Sequence, residues 1–143
     1  MVSDIDFDKV KEAAIFHFGY PTLMESMYNN DGAELVHLMK SVQETGAATS
    51  LDLAAVDANS KAGQVDWAKI LGRTLPYVDF FVPSIEELCI MLDRERYHEW
   101  NERAQGADVT NFIDIEKDVR PLADKLLSYG AKVILIKCGT PGI

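Results

Sequence analysis

Metal-binding and disulfide patterns are missing from this sequence. Its 143 residues include two cysteines, Cys89 and Cys138, which are far apart and lie in apolar surroundings. There is no Cys-x-x-Cys pair and no group of Cys and His residues at metal-ligand spacing. We therefore expect two buried, reduced thiols in a cytoplasmic protein, since cytosolic chains keep their cysteines reduced.

Positive charge is also scarce. The chain has 14 Lys and Arg against 23 Asp and Glu, which gives a net charge of −9. Phosphate backbones and anionic lipids attract Lys and Arg, so nucleic acid and membrane surfaces are not expected as partners. A single nucleotide remains compatible with this charge, because helix N-termini can hold a phosphate locally. No apolar run approaches the ~18 residues of a membrane span, and no signal-like N-terminus indicates export.

The segments that are present alternate between two patterns. Short apolar runs at residues 13–18, 47–53, 80–82 and 133–136 are typical of buried strands. Helical spacing of apolar residues follows them at residues 31–45, 67–75, 85–92 and 114–129. Residues 93–104 are dense in charge and are interpreted as a surface helix or a continuation of the preceding helix. This alternation predicts one α/β domain over residues 1–143, with three layers and a mostly parallel sheet flanked by helices.

Residues 79–92 join a predicted strand to a predicted helix. An apolar strand runs into Pro83 and then into Ser84-x-x-Glu87, which has the pattern of a helix capping box. Ligands in open α/β sheets bind at the carboxyl ends of strands, and a helix start there offers N–H groups and a positive dipole end. We therefore expect the functional site at this corner.

Other polar residues allow simpler interpretations. Asp52 ends the second predicted strand, where it either faces a site, with Asn59 as a loop partner, or caps the following turn. His17 lies inside an apolar run and is interpreted as a hydrogen-bonded core residue. His98 and Trp100 lie on a densely charged helix and are predicted to be at the surface. No Gly-x-Ser-x-Gly pattern supports serine hydrolase chemistry.

The order of four motifs resembles the PfkB (ribokinase-like) family of carbohydrate kinases. They are GYPTLM at residues 19–24, SLDL ending at Leu53, FFVPSIEEL at residues 80–88 and GAKVILIKCGTPG at residues 130–142. The resemblance extends from about residue 13 to the last residue. It implies a ribokinase-like fold and transfer of the ATP γ-phosphoryl group to a sugar hydroxyl, with Mg²⁺ neutralising charge on the phosphates.

The same resemblance implies roles for six residues. Lys137, Gly139 and Gly142 match the family's turn beside the ATP phosphates, and Asp52 matches an Asp that faces the nucleotide cleft. Ser84 and Glu87 fall on an Asn and a Glu that organise nucleotide and magnesium, although Ser here replaces the Asn. Glu87 is thus the predicted magnesium-linked residue, and Ser84 a predicted nucleotide contact.

Family members are longer, and their Gly-Ala-Gly-Asp motif, which carries the catalytic base, does not occur here. We expect a fragment of such a kinase, inactive alone, whose truncated sheet leaves apolar strand edges and favours homo-oligomers. Two alternatives stay open. One is a non-catalytic α/β nucleotide-binding or interaction module, and the other is a flavodoxin-like regulator phosphorylated on Asp52.

Overall fold

A computed structural model describes residues 1–139 and 142. Its strands are β1 (Ile15–Phe18), β2 (Ala48–Leu51), β3 (Phe80–Phe81) and β4 (Val133–Ile134). Its helices are α1 (Phe7–Lys11), α2 (Glu25–Thr45), α3 (Lys61–Gln64), α4 (Trp67–Thr74), α5 (Ile85–Leu92), α6 (Arg94–Ala104) and α7 (Arg120–Ser128). Short 3₁₀ turns lie at Val2–Asp4, Pro21–Leu23, Leu75–Tyr77 and Val109–Phe112, and a π-helical turn at Ile115–Val119.

The four strands form one parallel sheet in the order β1-β2-β3-β4. This confirms the predicted α/β fold with a parallel sheet flanked by helices. Crossovers between parallel strands are almost always right-handed, so an order without reversal carries all three connections over the same face. Helices α2 and α7 accordingly contact β2 and β4, and α4 packs on both α2 and α5. Flavodoxin-like sheets reverse their strand order near the first strand, which this sheet does not do.

The strand register separates the two faces of the sheet. The face under the helices carries Thr49, Leu51 and Phe81, which are fully buried. The opposite face, called the open face below, consists of Ile15, His17, Ala48, Ser50, Phe80, Val82, Val133 and Leu135. Its large apolar side chains remain in contact with water. The helices therefore bury one face and leave apolar groups on the other, so of the three predicted layers the described residues form two, the sheet and one layer of helices.

Local capping signals position the helices as predicted. The Asp66 carboxylate accepts a hydrogen bond from Lys69 N at the start of α4, and Gly130 adopts the positive φ of a helix end. The predicted helix over residues 31–45 is the second half of α2. Residues 29–32 are non-helical and separate it from a first turn that begins at Glu25.

The predicted helix over residues 114–129 begins with the π-helical turn instead of an α-helical one. Asp118 within this turn is buried and pairs with Arg96 of α6, and Asp114 N donates to the other Asp118 oxygen. Pro121, which lacks an N–H group, follows in the first turn of α7, where no helical N–H is needed. The ion pair to α6 and the proline together set where regular α-helix starts.

Two sequence-based interpretations were wrong about burial. Trp100 was predicted at the surface, but its side chain is 1% exposed and packs in the core, whereas His98 is exposed as predicted. His17 was interpreted as a core residue, but it is exposed on the open face and its Nδ1 is hydrogen-bonded to Ser50 Oγ at 3.0 Å. Both errors arise because neither the charged helix nor the first apolar run reveals which side faces the core.

Asp79 joins three strands at the edge of the sheet where the strands begin, called the amino edge. One carboxylate oxygen pairs with Lys132 Nζ, and the other accepts hydrogen bonds from the amide and hydroxyl of Thr49. Burial alone would raise the pKa of Asp79, but these hydrogen bonds and the Lys132 charge outweigh it and hold the pKa below its ordinary value of 3.8. A carboxyl group with a lowered pKa stabilises the fold above its unfolded pKa and loses that contribution as pH falls below it.

We therefore expect Asp79→Asn to lower the free energy of unfolding by about 1–3 kcal/mol at pH 7. This difference from the wild type should shrink at pH 3, where the wild-type carboxyl group starts to protonate. Urea denaturation at both pH values measures it. Asp8→Asn is the control, because the Asp8–Lys11 pair is exposed and should contribute less than about 1 kcal/mol. An equal loss for Asp79→Asn at both pH values would contradict this account.

Candidate functional site

The carboxyl ends of β2, β3 and β4 bring the predicted site residues to one edge of the sheet. Beyond β3 and β4 the strand pairing continues, because Lys137 N donates to Pro83 O and Ile85 N donates to Lys137 O. These bonds place the start of α5 directly beside the end of the last strand. The corner predicted from residues 79–92 thus lies next to Lys137.

An ion pair closes this edge. Lys137 Nζ lies 3.0 Å from Asp52 Oδ1, and the contact joins the segments after β2 and β4 across the end of β3. The Lys137 side chain is 41% exposed and that of Asp52 is 18% exposed. Asp52 Oδ1 also accepts a hydrogen bond from Leu53 N at 2.9 Å. Asp52 therefore holds the Lys137 ammonium group at a position that solvent and ligands can reach.

The capping box at α5 is complete. Ser84 Oγ accepts from Glu87 N at 3.2 Å, and Glu87 Oε2 accepts from Ser84 N at 2.8 Å. The amides of Ser84, Ile85 and Glu87 are thus already bonded, and little of the helix start is left to hold an anion. A phosphate at this edge would depend on the Lys137 charge more than on the amides of the helix.

Carboxylates crowd around the start of α5. Burial raises the pKa of Glu86, and the nearby negative charges of Asp108 and Glu87 raise it further. The described residues contain no group of three or more His, Cys, Asp or Glu side chains placed to hold a metal ion. Glu87 itself is buried and its carboxylate is bonded to the backbone.

The Gly-rich turn packs against a segment that the sequence did not indicate. Gly139 has a φ of +63°, and a Cβ there would lie 2.6 Å from Thr110 Oγ1. Gly142 N donates to Gly139 O, and Cys138 N donates to Gly142 O at 2.7 Å. Thr110 in turn donates to the Asp108 carboxylate. The turn is therefore tight and closely packed, and its tip at Thr140 and Pro141 falls outside the described residues.

Thr110 and Asp108 were missed in the sequence analysis. They belong to the segment between α6 and the π-helical turn, which carries no family motif. Thr110 reaches this edge through its contact with Gly139, and Asp108 through its charge near Glu86. The sole sequence signal is local, because Asp108 followed by Thr110 is a common capping arrangement at a helical turn.

Asn59 does not join the site. Asn59 is exposed, and its backbone N–H donates to the Asp57 carboxylate within the loop that follows β2. The described partner of Asp52 is Lys137, 85 residues away in sequence. The Asn59 loop instead borders an open cleft of about 330 Å³ beside the ends of β1 and β2, with Thr22, Tyr28, Ser60 and Lys61 among its lining residues.

Both thiols are buried and free, as predicted. Burial, with a smaller contribution from the Asp93 charge, raises the pKa of Cys89 to about 12. Burial also raises the pKa of Cys138, which lies two residues after Ile136 in the last strand segment. A thiol with a raised pKa stays protonated at neutral pH, so neither cysteine is a nucleophile at this edge.

Two solved structures are similar to this chain. They are the structures of a fructokinase from Xylella fastidiosa, one of them with bound ATP. Each matches with a TM-score of 0.54 and 16% sequence identity, over 96% of this chain and 37% of the fructokinase chain. This chain thus spans a little over a third of the length of the fructokinase. The resemblance to sugar kinases is confirmed at the level of the fold.

No protein-family model matches the sequence, and no curated protein matches it either. Among the residues that the structure describes, no helix is both long and apolar enough to cross a membrane. The comparisons thus show an α/β fold that is similar to part of the fructokinase structures.

Proposed function

We propose that this chain forms the nucleotide-binding side of an ATP-dependent sugar kinase. The observation that supports the proposal most strongly is the Lys137–Asp52 pair. It places the partly exposed ammonium group of Lys137 at the carboxyl edge of the sheet. The fold match to an ATP-bound fructokinase supports it independently. In this proposal Lys137 binds a phosphate oxygen of ATP, and the turn from Gly139 to Gly142 lets the triphosphate approach the backbone.

Asp52 acts in this proposal as a positioning residue for Lys137. Without ligand it holds the ammonium group at the sheet edge, and on binding it yields part of that interaction to a phosphate. The negative charge of Asp52 itself repels the phosphate oxygens of ATP, whereas the positive charge of Lys137 attracts them. Ser84 and Glu87 fix the start of α5, which keeps the end of β4 and therefore Lys137 in register.

Magnesium would reach the site bound to ATP. Burial raises the pKa of Glu86, and the charges of Asp108 and Glu87 raise it further; a hydrated divalent cation would relieve the repulsion between these carboxylates. In kinases Mg²⁺ neutralises charge on the phosphates as the phosphoryl group moves. The role of the chain here is to hold carboxylates near the phosphates, with Glu87 as the predicted magnesium-linked residue through water.

The phosphoryl acceptor in this proposal is a sugar hydroxyl, and its activation requires a base. The printed sequence lacks the Gly-Ala-Gly-Asp motif that supplies this base in the resembling family. We therefore expect no phosphorylation of sugars by the 143-residue chain alone. Robust ATP-dependent turnover of any sugar in a panel would show that the proposal assigns the chemistry to the wrong part of the molecule.

Calorimetry with ATP tests the binding step. We expect a dissociation constant in the millimolar range or tighter with Mg²⁺, and weaker binding without it, because the net charge of −9 and the carboxylates repel free ATP. Lys137→Ala should weaken binding by about tenfold or more, as expected for loss of a charged hydrogen bond. Asp52→Asn should change the affinity less than Lys137→Ala does, because the lost positioning of Lys137 and the removed repulsion of the triphosphate act in opposite directions.

Lys132→Ala is the matched control for this experiment. Lys132 also pairs with an aspartate, Asp79, but lies at the opposite, amino edge of the sheet. Its loss should destabilise the fold slightly without changing ATP affinity. Equal weakening by Lys132→Ala and Lys137→Ala would mean that only the overall charge matters, and would contradict a nucleotide site at the carboxyl edge.

A non-catalytic interaction module is the second candidate function. The open face of the sheet favours it, because apolar side chains from three strands stay exposed on the same side of the sheet. If ATP does not bind and the chain associates with a protein partner, this second function is supported instead of the first.

A further inference from the structure

A small, partly enclosed cavity lies between the loop that follows β2 and the junction of α5 with α6. Its volume is about 220 Å³, and it is lined by Val56, Ala58, Ile90, Arg94, Tyr97 and His98. Three of these residues are aliphatic and none is acidic, although the chain has 23 Asp and Glu residues. The cavity therefore combines apolar walls with the permanent positive charge of Arg94.

Neutral groups hold Arg94 in place. Its Nε donates to Ile90 O at 3.0 Å, and its Nη2 donates to Gly63 O. Within the part of the chain that the structure describes, no carboxylate pairs with Arg94, whereas Arg96 on the same helix forms two such pairs. The two carbonyl groups thus fix the half-buried guanidinium group but do not neutralise its charge.

Arg94 also retains unused hydrogen-bond donors. A guanidinium group has five N–H donors in one plane, and the two carbonyl groups occupy two of them. The three that remain are enough for the paired hydrogen bonds that a carboxylate accepts from arginine. Tyr97 and His98 line the same cavity and supply further O–H and N–H donors. An anion that enters the cavity would therefore find both a charge and donors.

Charge and size limit what this cavity can hold. One guanidinium group balances one negative charge, and the net charge of −9 disfavours a dianion such as a phosphate monoester. An apolar cavity of about 150 Å³ is large enough for benzene, so about 220 Å³ can hold a ring with a short acidic arm. The aliphatic walls favour such an apolar body over a hydrated inorganic anion.

We propose that this cavity binds a small monocarboxylate with an apolar body, its carboxylate bonded to Arg94 and its apolar part against the aliphatic walls. The site is separate from the carboxyl edge of the sheet, because Ile90 lies six residues beyond Ser84, about 9 Å along the axis of α5. The inference therefore does not depend on nucleotide binding.

Titration of phenylacetate into the wild-type chain, followed by nuclear magnetic resonance of the backbone amides, tests the site. We expect the largest shifts at residues 56–58, 90 and 94–98, with a dissociation constant of about 1 mM or tighter. Phenylacetamide keeps the shape without the charge, and acetate keeps the charge without the ring, so each should bind about tenfold more weakly. Affinity equal to that of either analogue, largest shifts elsewhere, or no binding at all would overturn the proposal.

The variant Arg94→Met identifies the charged group, because methionine keeps an apolar side chain and removes the guanidinium group. Phenylacetate should then bind about tenfold more weakly, and no more tightly than phenylacetamide. Arg103→Met is the control, since Arg103 is exposed on the same helix and its loss changes the net charge equally. It should alter the affinity less than about twofold. Equal weakening by both variants would mean that only the net charge matters, and would overturn the assignment to Arg94.

A second variant leaves the hydrogen bond between Arg94 and Gly63 O in place. Ala58→Leu adds side-chain atoms inside the cavity and should abolish phenylacetate binding. Ala55→Leu adds the same atoms to the same loop, but Ala55 lines the open cleft beside β1 and β2 instead, so this variant should change the affinity less than about twofold. Binding that survives Ala58→Leu, or that both variants abolish, would overturn the proposal.

Discussion

Replacing Trp100 by alanine is expected to lower the free energy of unfolding by about 3–5 kcal/mol. Trp100 lies on α6, a helix that is otherwise dense in charge, and its side chain is 1% exposed. Truncation removes the largest apolar group that this helix contributes to the core and leaves a cavity. Because α6 also carries Arg96, which pairs with Asp118, loosening α6 would release the start of the last helical segment as well.

Urea denaturation followed by circular dichroism measures this loss without relying on tryptophan fluorescence. Glu99→Ala on the same helix is the control, because Glu99 is exposed and most surface substitutions change stability by less than about 0.5 kcal/mol. If Trp100→Ala costs no more than Glu99→Ala, the helix lies on the surface and the packing described for α6 is wrong.

Gly63→Ala is expected to destabilise the fold by about 1–3 kcal/mol or more, as overpacking usually does. A Cβ at this position would lie 2.1 Å from the Asp57 carbonyl oxygen and 2.8 Å from backbone carbons of Ala58. Backbone atoms cannot rotate away as a side chain can, so the loop after β2 would have to shift. The Gly63 carbonyl also accepts a hydrogen bond from Arg94, which joins this loop to α6.

Gly72→Ala provides the matched comparison. Gly72 lies within α4 and a Cβ there would meet only Tyr129, at ordinary contact distances near 3.8 Å. Alanine in a helix interior is more favourable than glycine by about 0.5–1 kcal/mol, so this variant should gain stability. Thermal unfolding of the pair measures the contrast. A Gly63→Ala variant as stable as the wild type would show that the close approach at Gly63 does not exist, and a less stable Gly72→Ala variant would contradict the ordinary contact between Gly72 and Tyr129.

The parts of the fold that sequence patterns predicted are those set by neighbours in sequence. The Ser84–Glu87 capping box involves residues three apart, and both of its hydrogen bonds are present. The helix stop at Gly130 needs only a positive φ, which glycine adopts without strain. The alternation of strands and helices likewise predicted the parallel sheet, because consecutive parallel strands need crossovers.

The parts that sequence patterns missed depend on contacts between distant segments. The partner of Asp52 is Lys137, which no local spacing could indicate, and the predicted partner Asn59 remains on the loop surface. The contact of Gly139 with Thr110 joins the Gly-rich turn to a segment without any motif. The open face depends on strand order, because the same four strands with a reversal would have helices on both faces.

The measurement that tests the nucleotide site most directly is a titration of Mg-ATP into the isotope-labelled chain, followed by nuclear magnetic resonance of its backbone amides. The account predicts that the largest shifts fall at the carboxyl edge, at Asp52, Ser84, Lys137 and Gly139, and that Lys137→Ala suppresses them. Shifts concentrated instead at the amino edge around Asp79 and Lys132, or no shifts at millimolar ATP, would contradict it.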